Sequence, residues 1–118
     1  MDHFPAFLNL HGRQCLVVGG GKVAERKTQT LLRYGAQVQL VSPTITDELR
    51  QLLAAQDSAD PMLTYQARTM VDADVVGWFL VIAATNQPEI NQRIAELAHS
   101  HKILANIADN PEASSFIM

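Results

Sequence analysis

The run Cys15-Leu16-Val17-Val18-Gly19-Gly20-Gly21-Lys22-Val23-Ala24 brings together residue types able to hold a pyrophosphate. Gly19 and Gly21 fall on the first two glycines of G-x-G-x-x-G/A, and Ala24 takes the third small position. In that pattern the first glycine turns the chain sharply, the second lets backbone approach the phosphates without a Cβ, and the third packs helix against strand. Amides opening the next helix then face the negative charge. Three adjacent glycines also occur in plain turns, so the flanking elements carry the distinction. An apolar strand precedes the turn, a helical run Val23 to Tyr34 follows, and a second strand Gln37 to Val41 completes the expected βαβ unit.

Asp109 is the second residue with chemical promise. It is the only acid immediately after a core strand, which would stand a carboxylate beside the nicotinamide end of a bound dinucleotide, where a general base is needed. Asp-Asn-Pro is equally a good turn sequence, and spacing alone leaves both roles open. One usual feature is absent: where Asp or Glu would bind the ribose hydroxyls about 20 residues beyond the glycines, the chain reads Val41-Ser42-Pro43-Thr44. Hydroxyls of Ser42 or Thr44 are the available substitutes. Without that carboxylate the repulsion against a 2′-phosphate is missing too, and Lys22 or Arg26 would welcome one, so these residues leave NAD and NADP both open.

The elements that must position these groups alternate. Phe4 to Leu10 reads as a short edge strand, Gln14 to Val18 as the first core strand, and Val23 to Tyr34 as an amphipathic helix closed by Gly35 at C′. After the strand Gln37 to Val41, Thr46 or Asp47 can cap a helix reaching Ala55. A weaker strand near Leu63 to Gln66 and a helical turn around Val71 to Asp74 follow. Phe79 to Ala84 is continuously apolar, as befits a central parallel strand covered on both faces. A helix from Pro88 to about His101, a strand Ile103 to Ile107, a loop Ala108 to Pro111 and a last apolar fragment Ser115 to Met118 complete the chain. The pattern predicts an α/β fold: a parallel sheet with helices on both faces and ligands outside the carboxyl ends of the strands. That rule selects Gly19 to Ala24, Ser42 to Thr44, Ala83 to Asn86 (with Ala84 and Thr85 as cofactor contacts) and Asn106 to Asp109, all expected at one crevice.

With 118 residues and 47% hydrophobic content, the chain fits one domain, residues 1–118, with a real core. A net charge of −3 with scattered basic residues gives no electrostatic footprint for nucleic acid. No run reaches the roughly 18 apolar residues of a membrane span, and the first residues lack a signal peptide's order, so a cytoplasmic location is expected. Cys15, the sole cysteine, reads as a buried structural thiol. No metal-ligand set is expected: His99 and His101 sit two apart at a helix end, and His3 and His11 flank an edge segment, all four reading as surface residues.

In order and spacing these pieces resemble the N-terminal module of siroheme synthase, the precorrin-2 dehydrogenase and sirohydrochlorin ferrochelatase family. The resemblance rests on Phe4-Pro5-x-Phe7, Val17 to Ala24 with Arg26-Lys27, Leu32-x-x-Gly35-Ala36, Ile82-Ala83-Ala84-Thr85, Asn91-Gln92-Arg93, Asn106-x-x-Asp109 and Ser114 to Met118. It implies a Rossmann-type domain, NAD as cofactor, precorrin-2 and sirohydrochlorin as tetrapyrrole substrates, ferrous iron as a further substrate, and the aspartate at Asp109 as shared base. Cofactor contacts would fall on Lys22, Val23, Pro43 and Thr44. It also implies a homodimer and a helical dimerisation segment beyond Met118, so that the apolar ending reads as a cut chain whose isolated activity would be weak. Two other readings stand beside it: a nucleotide-sensing regulatory module without catalysis, and an idle scaffold retaining the fold alone.

Overall fold

The computed structural model describes residues 2–118. Strand β1 (Gln14–Val18), helix α1 (Lys22–Arg33), β2 (Gln37–Ser42), α2 (Asp47–Ala55), β3 (Leu63–Ala67), β4 (Leu80–Ala83), α3 (Pro88–Ser100) and β5 (Leu104–Ile107) alternate along the chain. One 3₁₀ turn, Asp72–Asp74, lies between β3 and β4. Every strand pair is parallel, in the order β3-β2-β1-β4-β5. The chain therefore winds outward from β1 to β3, returns across β1 and winds the other way, which places the reversal between β1 and β4, where α/β sheets open a crevice.

Strand alternation divides the core. Cys15, Val17, Val38, Leu40, Leu80 and Ile82 pack with Ala24 and Leu31 of α1 and Leu49 of α2, while Leu16, Val18, Val41, Val81 and Ala83 pack with Ile94 and Ala98 of α3. Both faces of β4 are covered, which is why its sequence is apolar without interruption. Helix α1 closes as expected at Gly35: its N–H donates to the Leu32 carbonyl at 3.0 Å and that of Ala36 to Leu31 at 3.1 Å, a Schellman closure with Gly35 at φ +87. Thr46, rather than Asp47, caps α2, its hydroxyl accepting from the Leu49 amide at 3.2 Å. Cys15 is fully buried, and desolvation pushes its thiol up to about 11.

The first segment differs from expectation. Residues 4–10 form no strand, and Phe4 and Phe7 point into solvent. Pro5 lacks an N–H for a ladder, and the outer edge of β5 is already taken by the chain's last segment. There the Ser114 and Ser115 hydroxyls accept the Ile107 and Ala105 amides at 2.8 and 2.7 Å, and the Ser115 amide donates to the Ala105 carbonyl at 2.8 Å. An edge that would otherwise invite another strand is thus closed by serines. His3 is half-buried rather than a free surface residue, its ring nitrogen 3.2 Å from the Ser114 carbonyl oxygen; His11, His99 and His101 are exposed.

Candidate functional site

Four loops leave the carboxyl ends of β1, β2, β4 and β5 side by side because the ladder continues beyond the strands. Amides of Gly19, Ala84 and Ala108 donate to the carbonyls of Val41, Val18 and Ala83 at 3.0, 2.8 and 2.9 Å, and the Thr46 amide donates to Gly20 at 3.0 Å. Together with the loop after β3 they enclose a crevice of about 670 Å³.

The three glycines answer three different demands. Gly19 has φ +128, and a Cβ on it would lie 2.6 Å from the Ala84 carbonyl carbon across the reversal between β1 and β4. A Cβ on Gly20 would strike the Thr44 carbonyl and come within 2.9 Å of both Ser42 Oγ and Ile45 Cγ2. Gly21 meets nothing within 4 Å; its missing side chain leaves open space on the crevice wall. As N-cap of α1, Gly21 supplies no side-chain cap, and among the described residues the amides of Gly20, Gly21, Lys22 and Val23 find no protein acceptor. Unpaired donors beside a vacant Cβ position fit a phosphate group.

Lys22 and Val23 line this wall, Lys22 through a largely exposed side chain. Beside them, Pro43 and Thr44 are exposed on the crevice, whereas Ser42 is buried and its hydroxyl donates to the Thr44 carbonyl at 2.8 Å, holding the loop instead of facing outward. Ala84 and Thr85 line the floor. The Thr85 hydroxyl is 2.7 Å from Asn91 Oδ1, and the Asn91 side-chain amide returns a bond to the Thr85 carbonyl at 3.1 Å, so this threonine braces the loop onto α3.

Asp109 stands at the crevice with φ +59, a left-handed conformation that aspartate tolerates. The turn role open to it from sequence belongs to its neighbour: Asn110 Oδ1 accepts from the Ala113 amide at 3.2 Å, while the Asp109 carboxylate takes part in no hydrogen bond among the described residues. Lys27, half-buried on α1, senses it: burial and then Arg26 lower the lysine's pKa, and the Asp109 charge opposes them.

Asn106, expected at the crevice, is buried beneath it: Nδ2 donates to the Phe116 carbonyl at 3.2 Å and Oδ1 has no partner. Sequence reading also passed over Thr69 and Met70, which line the crevice from the loop after β3. Recognition of β3 as a full parallel member of the sheet would have found them, since its carboxyl end falls on the same edge. Glu25 gave no signal of its own, and Lys27 and Asn91 entered only as parts of the matched motifs, with no role attached. His99 and His101 lie at the far end of α3, about 20 Å along the helix from its crevice end. Among the described residues no three His, Cys, Asp or Glu side chains gather as metal ligands, and no helix is long and apolar enough to cross a membrane.

A family model described as "Putative NAD(P)-binding" matches residues 6–118. The chain belongs to this NAD(P)-binding family. It is similar over its whole length to siroheme synthases of Nitrosospira multiformis, at 46% identity, and Nitrosomonas eutropha, at 44%, covering 25% and 24% of those proteins. Among solved structures it resembles SirC, precorrin-2 dehydrogenase, with a TM-score of 0.76 and 28% identity over 89% of this chain and 49% of that one. The chain thus spans about a quarter of the curated relatives it matches. The NAD(P)-binding assignment agrees with the glycine turn, the parallel sheet and the unpaired amides, and the likeness to siroheme synthase found in the motifs extends over the full chain.

Proposed function

We propose that this chain is the NAD-dependent precorrin-2 dehydrogenase module of a siroheme synthase, oxidising precorrin-2 to sirohydrochlorin. The observation that carries the reading is Asp109: a carboxylate free of internal hydrogen bonds, on the same crevice as the glycine turn. The amides of Gly20 to Val23 would hold the pyrophosphate, with Gly19 and Gly21 leaving room; Pro43 and Thr44 would border the adenosine, and Ala84 and Thr85 the middle of the dinucleotide. NAD, when bound, supplies the acceptor for one hydride.

Oxidation of precorrin-2 gives up a hydride and a proton. Asp109 receives the proton, and Lys27 of α1 is the neighbouring cation whose charge interacts with it. The same carboxylate serves ferrochelation, in which ferrous iron enters as substrate and two pyrrole protons must leave. A second copy of the chain would enclose the tetrapyrrole; Phe4, Phe7, Ile117 and Met118 are large apolar side chains left exposed and available to such a contact.

The test compares the full-length parent with Asp109→Ala. NAD affinity, measured by calorimetry, should persist, while precorrin-2 oxidation falls about 10²- to 10⁴-fold, the usual contribution of general acid–base catalysis. Equal turnover in both proteins refutes the assignment of Asp109, and absence of NAD binding to the folded parent refutes the enzyme reading.

A further inference from the structure

The second strand ends without the acid that normally reads the adenosine ribose, and Ser42 has turned its hydroxyl inward to Thr44. A carboxylate nevertheless reaches this wall from another element. Glu25, on the first turn of α1, keeps only 13% of its side chain exposed; its Oε1 accepts from the Thr46 hydroxyl at 2.7 Å and lies 3.6 Å from Lys22 Nζ. Both partners line the crevice, although Glu25 itself does not. We propose that Glu25, acting through Lys22 and Thr46, sets the preference of this site for NAD over NADP. The proposal rests on the cofactor reading above and names a positioning residue for it.

The physical reason is charge. A 2′-phosphate adds about −1.5 to −2 at neutral pH, and a cation at the end of β2 is what ordinarily receives it. Lys22 is the cation on this wall, and it is already matched by Glu25. Arg26, the other candidate cation of the sequence, does not line the crevice. The pair therefore presents the ribose with a neutral wall, tied through Thr46 to the loop that borders it. As a surface ion pair with an exposed lysine, it adds little to stability; its consequence is selectivity.

Calorimetric titrations of NAD and of NADP into this chain test the idea. Glu25→Gln keeps an oxygen acceptor for Thr46 and removes the charge; the ratio Kd(NADP)/Kd(NAD) should fall at least about tenfold, the effect of one uncompensated cation worth about 1.4 kcal/mol. Adding Lys22→Met to Glu25→Gln should restore the parent ratio, whereas Lys22→Met alone, leaving the carboxylate uncompensated, should raise it. Salt should shrink these differences. A purely structural role for Glu25 would weaken both nucleotides together and lower the melting temperature; that result, or a ratio unchanged in both Glu25→Gln and Lys22→Met, overturns the proposal. Should the parent bind neither nucleotide, the cofactor reading fails and this one with it; NAD binding with an unmoved ratio removes this one alone.

Discussion

Gly20 and Gly21 are adjacent in sequence and look interchangeable, yet the structure requires opposite outcomes from the same substitution. In Gly20→Ala the new Cβ meets a backbone carbonyl, that of Thr44, which cannot rotate away, together with Ile45 Cγ2 and Ser42 Oγ at 2.9 Å. Overpacking of this kind costs about 1–3 kcal/mol, and displacing the loop also breaks the bond from the Thr46 amide to Gly20, worth about 1 kcal/mol. The combined loss of about 2–4 kcal/mol predicts a melting temperature lower by roughly 8–16 °C for a domain of this size. In Gly21→Ala the Cβ enters open space; the poorer N-cap costs about as much as the reduced unfolded-state freedom returns, so stability should stay within about 1 kcal/mol of the parent. The methyl would instead stand between the unpaired amides and a phosphate. Losing one or two charge-assisted bonds at about 1.5 kcal/mol each weakens NAD ten- to hundredfold. Circular dichroism melts and calorimetric NAD titrations of both variants read the two effects separately. A Gly20→Ala protein melting within about 2 °C of the parent, or a Gly21→Ala protein binding NAD as the parent does, refutes the division of labour between these glycines.

Ser114→Ala leaves the Ile107 amide without its acceptor at the edge of β5; denaturant titration should show a loss of about 1–3 kcal/mol. The raised Cys15 pKa of about 11 and its complete burial predict that a thiol reagent at pH 8 labels the native protein at least about 100-fold more slowly than the denatured one. Equal rates would place the thiol at the surface. Arg68 holds the Asp74 carboxyl below the usual carboxylate range through a two-pronged contact at 2.6 and 2.8 Å, helped by the Val71 amide. The unfolded chain therefore takes up this proton first as pH falls, and the stability from Asp74 is complete above about pH 5 and lost on acidification below it. Relative to the parent, Asp74→Asn should melt lower at pH 7, with the gap closing toward pH 3 in thermal scans.

Much of the frame was written in local sequence. A turn of three glycines between an apolar strand and a helix, Gly35 after an amphipathic stripe, and the unbroken apolar run Leu80 to Ala83 each fix local geometry through sterics or burial, and each lies where its residue type demands. The mistaken edge strand at residues 4–10 shows the limit of such reading: those residues have strand-like composition, but whether a strand forms depends on a free edge, and Ser114 and Ser115 had already closed the edge of β5. The site divides in the same way. Loops at the ends of parallel strands could be chosen from sequence because topology sends every carboxyl end to one side. Which of their side chains face the crevice could not, since Ser42, Thr85 and Asn106 are drawn inward by bonds to partners near and distant in the chain.

By itself the sequence determined the element types from Gln14 onward, the parallel sheet and the glycine turn, because propensity, periodicity and the steric needs of glycine act over a few residues. Only the tertiary structure decided that Asp109 keeps its carboxylate free while Asn110 makes the turn, and that Glu25, already within helical reach of Lys22, is also bonded by Thr46 from the loop after β2. Those outcomes depend on hydrogen bonds and charges competing in three dimensions, where distance in space counts as well as separation along the chain.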